Sequence, residues 1–169
     1  MTHHAVATSF RLSPLCEARA HAPQLAAWHA AEWVHLYQGW DEAAALRDLL
    51  SEPADGSLPL TLIAHDDRQL LGSVSLIMDD LPGWSQCNPW LASFFVAPPH
   101  RRQGIGAALL RAALSRLATS PCARVYLFTE SRAEYFARHD FVFYGSGVAG
   151  GHEVTVMSRP IGDQDASST

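Results

Sequence analysis

The stretch that decides the fold is "FFVAPPHRRQGIGAALL", Phe94 to Leu110. It runs from a strand-like apolar segment through a proline pair and a basic cluster to two glycines one residue apart. An alanine- and leucine-rich, helix-like segment follows. Pro98 and Pro99 cannot donate ladder hydrogen bonds, so a strand should stop pairing regularly beyond Val96. Ala97, preceding a proline, is driven toward an extended conformation. Gly104 and Gly106 allow a tight turn and close approach of backbone, and the first amides of the helix have no intrahelical partner. Such an end binds phosphate, and His100, Arg101 and Arg102 add cationic reach beside it. The stretch reads as a splayed strand end next to an anion-binding helix start. An ordinary strand-to-helix turn with solvated arginines gives the same local signals.

Working outward, "TSFRLSPL" reads as a first strand, and Leu25, Trp28, Val34 and Leu36 line one face of a helix over residues 22–37. A second helix, "DEAAALRDLL", opens on acids. "LTLIAHD" and "LLGSVSLIM" form a hairpin about Asp66, Asp67 and Arg68, and "PWLASFFV" is the next strand. In "GIGAALLRAALSRLA", Ile105, Leu109, Ala112 or Ala113, and Leu117 recur at helical spacing. "ARVYLF" is a buried strand, "RAEYFARH" a short helix, and "FVFYG" and "HEVTVM" two closing strands. Strand–helix–strand units embedded between hairpins imply a mixed α/β sheet.

The 169 residues, 48% of them hydrophobic, suit one domain, here assigned to residues 1–160. The small polar tail 161–169 is expected to be disordered. No window approaches the roughly 18 apolar residues of a membrane span, and the N-terminus lacks the pattern of a signal peptide. Cys16, Cys87 and Cys122 are scattered and odd in number, which fits a reduced, cytoplasmic protein and no metal centre. The formal charge of −5 argues against nucleic acid as a partner. The chain has no lysine. That excludes a Walker phosphate loop and Schiff-base chemistry through a side-chain amine.

A literal dinucleotide fingerprint, Gly-x-Gly-x-x-Gly, occurs at Gly145, Gly147 and Gly150, but a strand-like segment follows it and no βαβ unit fits behind it. We read it as a hairpin loop. In the Phe94–Leu110 stretch the third glycine of such a fingerprint would fall on Leu109.

"VAPPHRRQGIGAALL" resembles motif A of the GNAT superfamily of acyl-CoA-dependent N-acetyltransferases, Arg/Gln-x-x-Gly-x-Gly/Ala, with Arg101, Gly104 and Gly106 at its fixed positions. "AEYFARHDFVFYG" is similar to motif B, Phe-Tyr-x-x-x-Gly-Phe after a short helix, and the likeness spans most of residues 8–160, in the manner of small bacterial stand-alone members. The resemblance implies a central, mostly antiparallel sheet with one splayed parallel strand pair and about four flanking helices. It implies acetyl-CoA as co-substrate, with the amides from Arg102 through Gln103, Gly104, Ile105 and Gly106 to Ala107 on its pyrophosphate. Phe94 and Val96 would pair with the pantetheine arm, and the Val96 amide would polarise the thioester carbonyl. Thr129 stands where many members carry an asparagine that contacts coenzyme A.

The implied reaction is direct attack of a primary amine, on a small molecule or a peptide, with no nucleic acid or membrane involved. Proteins of this kind are commonly homodimers. A non-catalytic acyl-CoA-binding protein on the same fold is the alternative, because Phe136 stands where the usual acid tyrosine would be and Asp140 replaces the glycine. Tyr135 is one place earlier, as a catalytic acid or a packing aromatic. An amine of pKa near about 10 needs a base at neutral pH. The candidates are Asp80, beside Asp79 at a strand end, and Glu32, whose pKa Trp28 and Trp33 would raise by desolvation. A solvated turn and a surface glutamate are the plain readings of the same residues. His29, His35 and His139 have no assigned role. Trp28, Trp33, Tyr37, Trp40, Trp84 and Trp90 fall in segments flanking the cleft, where aromatic faces and acids suit a cationic amine.

Overall fold

A computed structural model describes residues 9–162. The tail beyond residue 162 and the first eight residues lie outside that range. Seven strands form one sheet: β1 (Arg11–Pro14), β2 (Leu60–His65), β3 (Leu70–Ile77), β4 (Trp90–Val96), β5 (Arg124–Thr129), β6 (Val142–Ala149) and β7 (His152–Pro160). Their order is β1-β2-β3-β4-β5-β7-β6, and every adjacent pair is antiparallel except β4 and β5. The helices are α1 (Ala22–Trp33), α2 (Glu42–Leu50), α3 (Ile105–Ala118) and α4 (Ala133–Ala137).

Helix α3 forms where an apolar stripe recurs at helical spacing, and it buries Ile105, Leu109, Leu110, Ala113, Leu114 and Leu117. Burial of each leucine is worth roughly 1.5–3 kcal/mol over leaving it exposed. This stripe meets Leu62, Val74 and Leu91 on one face of the sheet. On the other face, Leu25 and Ala26 of α1 and Ala45 and Leu49 of α2 close over Ile63 and Leu70. A third cluster, built on Trp90, Val154, Val156 and Leu36, fills that face under β5 and β7. Asp41 caps α2 by accepting from the Ala44 amide at 2.8 Å. In the β2–β3 turn, Asp66 accepts from the Arg68 and Gln69 amides.

Three sequence expectations need correction. The first helix does not run to residue 37: it ends at Trp33, and Val34–Leu36 tighten into a 3-10 turn that drives Leu36 into the third cluster. The helix read over 132–139 is only Ala133–Ala137. Gly145 and Gly147 are not in a hairpin loop but inside β6, and the turn begins at Gly150. The Trp84 indole lies against both, so close that a Cβ at Gly145 would meet it at 2.7 Å. Those glycines serve an aromatic neighbour, not a phosphate.

Two irregularities in β4 shape the middle of the sheet. Its parallel pairing with β5 is confined to Trp90 and Tyr126, after which the two strands part. Its pairing with β3 passes from Ala92–Ser75 to Phe95–Ser73, so Ser93 and Phe94 together oppose Val74. This bulge holds Ser93 at φ 49°, a left-handed conformation that costs a non-glycine residue roughly 1–2 kcal/mol.

Candidate active site

The parting of β4 from β5 opens a cavity of about 920 Å³ between their C-terminal ends. The Ala97 amide donates to the Leu71 carbonyl at 2.9 Å. Backbone groups alternate in direction along a strand, so Phe95 also faces β3 while Phe94 and Val96 face the cavity. The Val96 carbonyl accepts from the Arg101 Nε at 2.9 Å, and Val96 lines the cavity. The Arg101 guanidinium is at 5.8 Å from the centre of the Phe95 ring.

At one end of the cavity stands the first turn of α3. Gly104 sits at φ 80° and no side chain caps the helix. Its leading amides are therefore open to an anion. Arg101, Arg102, Arg132 and Arg138 also line the cavity. Gly106 keeps the turn close to two aromatic groups: a Cβ there would lie 2.9 Å from the Tyr135 hydroxyl and 3.2 Å from the Phe94 ring. Phosphate groups on the amides and a thin arm along β4 fit this donor set.

The two aromatics of α4 both line the cavity but differ in burial. Phe136 is buried, stacked edge-on against Phe141 in the main core. Tyr135 lines the cavity beside Phe94, with ring centres 5.7 Å apart. Burial raises its phenol above the usual value, opposed by Arg138, so it carries its proton at neutral pH. The Thr129 hydroxyl accepts from the Arg132 amide at 2.9 Å and lines the cavity too.

Of the two aspartates, only Asp80 reaches the cavity. Asp79 is exposed at φ 55°, exchanging hydrogen bonds with Asn88. Asp80 accepts from the Tyr37 hydroxyl at 2.9 Å. Desolvation pushes its carboxyl up to about 6, against the opposing pull of that hydrogen bond. Burial together with the Asp80 charge drives Tyr37 well above its ordinary value, so it stays a donor.

Other expected residues fall differently. Glu32 lines the cavity but is exposed. Trp28 and Trp33 turn to Phe95, at 5.5 and 6.2 Å, so the desolvating cover expected for Glu32 is not there. The Gln103 side chain does not line the cavity and points back to the Pro99 carbonyl at 3.4 Å. Of the six aromatics read as flanking the cleft, Trp33 and Tyr37 line it. Trp40 bonds Asp48, Trp84 covers β6, and Trp90 is wholly buried. Sequence reading missed Glu130 and its 2.6 Å pairing with His35 at the cavity wall, because nothing local links residues so distant in the chain. Among the described residues, no cluster of histidine, cysteine or carboxylate side chains could hold a metal ion, and no helix is long and apolar enough to cross a membrane.

Residues 22–141 match the model of the Acetyltransferase (GNAT) family. The chain belongs to that family, whose members take their acyl group from acetyl-CoA. Among solved structures, it is similar to a GNAT-family acetyltransferase from Streptococcus pneumoniae, at 19% identity and TM-score 0.62, covering 91% of this chain and 100% of that one. An aminoglycoside 6′-N-acetyltransferase complexed with coenzyme A superposes with TM-score 0.68 at 14% identity, covering 89% and 97%. An acyl-CoA N-acyltransferase from Pseudomonas aeruginosa gives 21% identity and TM-score 0.60, covering 89% and 99%. These likenesses establish the fold, a mixed sheet with one parallel pair and four helices. No curated protein matches the chain in sequence.

Proposed function

We propose that the chain transfers an acetyl group from acetyl-CoA to a primary amine on a small molecule or peptide, by direct attack of the amine on the thioester. The observation that carries this reading is a single cavity holding an uncapped helix start, the outward backbone of Phe94 and Val96, and a carboxylate tuned to about 6. Acetyl-CoA, when bound, supplies the activated acyl group. The amides from Arg102 to Ala107 take its pyrophosphate, and Phe94 and Val96 align its arm as an added strand. The Val96 amide donates to the carbonyl oxygen, where negative charge grows during attack.

Asp80 is the proton acceptor for the incoming ammonium. Its raised pKa makes it a stronger base than an ordinary aspartate while leaving it ionised at neutral pH. Tyr135, protonated and beside the Phe94 end of the arm, donates to the departing sulfur. A thiol of pKa near about 8.5 needs only modest help from such an acid. Exposed Glu32 draws a cationic acceptor toward the mouth.

Thiol release from acetyl-CoA, followed with a panel of amines, tests this. Turnover with at least one amine, sharply reduced by Asp80→Asn, is the expected result. Saturable acetyl-CoA binding without release for any amine would sink the enzymatic reading in favour of an acyl-CoA-binding protein.

A further inference from the structure

A buried chain of hydrogen bonds runs from α1 to the β4 bulge. The His29 ring, 3% exposed, meets the Ser73 hydroxyl at 2.9 Å through Nε2. Ser73, wholly buried on β3, donates its one hydroxyl hydrogen to the Ser93 carbonyl at 2.9 Å. With that hydrogen committed, Ser73 can only accept from the ring, so His29 must carry its proton on Nε2. Burial pushes the imidazole down to about 3, which keeps it neutral.

The receiving carbonyl is the informative end. Ser93 sits at φ 49° where β4 holds one residue more than β3 opposes, so the regular ladder is interrupted there. The Ser93 carbonyl is half-buried at the cavity edge, and leaving such a group without a partner carries part of the cost of an unmade hydrogen bond, while the left-handed backbone is itself unfavourable. The Ser73 hydroxyl offsets both by fixing the bulge in one shape. Phe94 and Val96 follow directly, and their aim into the cavity depends on that shape.

We propose that His29 and Ser73 are positioning residues, which act through the Ser93 carbonyl to set the backbone edge that receives the acyl-bearing arm. The inference rests on the reading of acetyl-CoA as the ligand of this cavity. It concerns the β4 edge alone and not the α3 end, and this separation makes it testable.

The experiment is calorimetric titration of wild type, Ser73→Ala, His29→Leu and His29→Gln with two probes. Acetyl-CoA engages both the helix start and β4; adenosine 3′,5′-bisphosphate reaches only the helix start. Thermal melting of each variant accompanies the titrations. Ser73→Ala and His29→Leu should weaken acetyl-CoA about tenfold, the worth of one well-made hydrogen bond. Both should bind the bisphosphate like wild type. His29→Gln, which retains an N–H donor, should recover most of the acetyl-CoA affinity. Equal losses for both probes would mean a generally loosened fold and overturn the proposal. So would wild-type acetyl-CoA affinity in Ser73→Ala, or no difference between the glutamine and leucine variants. Wild-type binding of acetyl-CoA without turnover would remove only the catalytic reading, whereas no acetyl-CoA binding at all would remove both.

Discussion

Asp80 and Tyr37 form a pair whose chemistry can be read out separately from its stability. The hydrogen bond at 2.9 Å favours the ionised carboxylate, while desolvation disfavours it and dominates. Removing the donor with Tyr37→Phe leaves desolvation unopposed, so the Asp80 pKa should climb above about 6. The acid limb of the kcat/KM profile should then move to higher pH, with the plateau far less affected. Asp80→Asn should abolish the limb and cost on the order of 10²–10⁴ in rate, the usual worth of a positioned base. Adjacent aspartates at a strand end give no hint of which faces inward. Asp79 takes the left-handed turn position and Asn88, so Asp80 is the one left to face Tyr37. That choice was not legible in the sequence, because it depends on a contact 43 residues away. Which of the two adjacent aromatics, Tyr135 or Phe136, is the more buried was likewise not legible; the structure buries Phe136 and leaves Tyr135 half-buried.

At the scale of elements, two glycines bracket what the β4–α3 unit tolerates. Gly104 has nothing within 4 Å of a new Cβ but sits at φ 80°. Gly104→Ala should cost about 1–2 kcal/mol through backbone strain alone and weaken coenzyme A binding. Gly72 is the opposite case, with ordinary dihedrals and a Cβ position only 2.5 Å from the Phe95 carbonyl oxygen. Backbone cannot yield as a side chain does, so Gly72→Ala should lower Tm more than Gly104→Ala, at about 2–4 °C per kcal/mol. Scanning calorimetry on the two variants checks the order. The elements themselves were largely legible: motif A places β4, the loop and α3 correctly, and the apolar stripe of α3 is buried as its spacing implies. The interior of β6 was not, because its glycines read as a loop until Trp84 gave them a packing reason.

For the whole molecule, His29 and Asp80 set opposing dependences of stability on pH. Folded His29 takes a proton only near pH 3, whereas the unfolded chain takes it near 6.5. The unfolded state thus binds more protons between those values, and stability falls as pH drops through that window. Asp80 is protonated up to about pH 6 when folded but only to 3.8 when unfolded. Its contribution is present at low pH and lost as pH rises from 3.8 to 6. Each slope is at most about 1.4 kcal/mol per pH unit, so the two nearly cancel in the shared interval. Asp80→Asn removes one arm of this balance. Urea unfolding from pH 4 to 7 should show the variant losing stability more steeply than wild type as the solution is acidified. A parallel pair of curves would contradict the opposing roles.

The extra residue in β4 also changes the phase of the strand. Were every residue of the strand paired without a bulge, Leu91, Ser93 and Phe95 would share one face of the pleat. With it, Phe94 and Val96 pack on the same cluster as Leu91, and Phe95 turns over to Trp28 and Trp33 on the opposite side. Pairing Ser93 into the ladder as a regular strand position would exchange the two phenylalanines between the layers, whereas deleting Ser93 would remove the bulge and leave Phe94 and Val96 in phase with Leu91. A single inserted position therefore works as a half-step that decides which layer each aromatic serves, and the paired letters "FF" are its trace in the sequence.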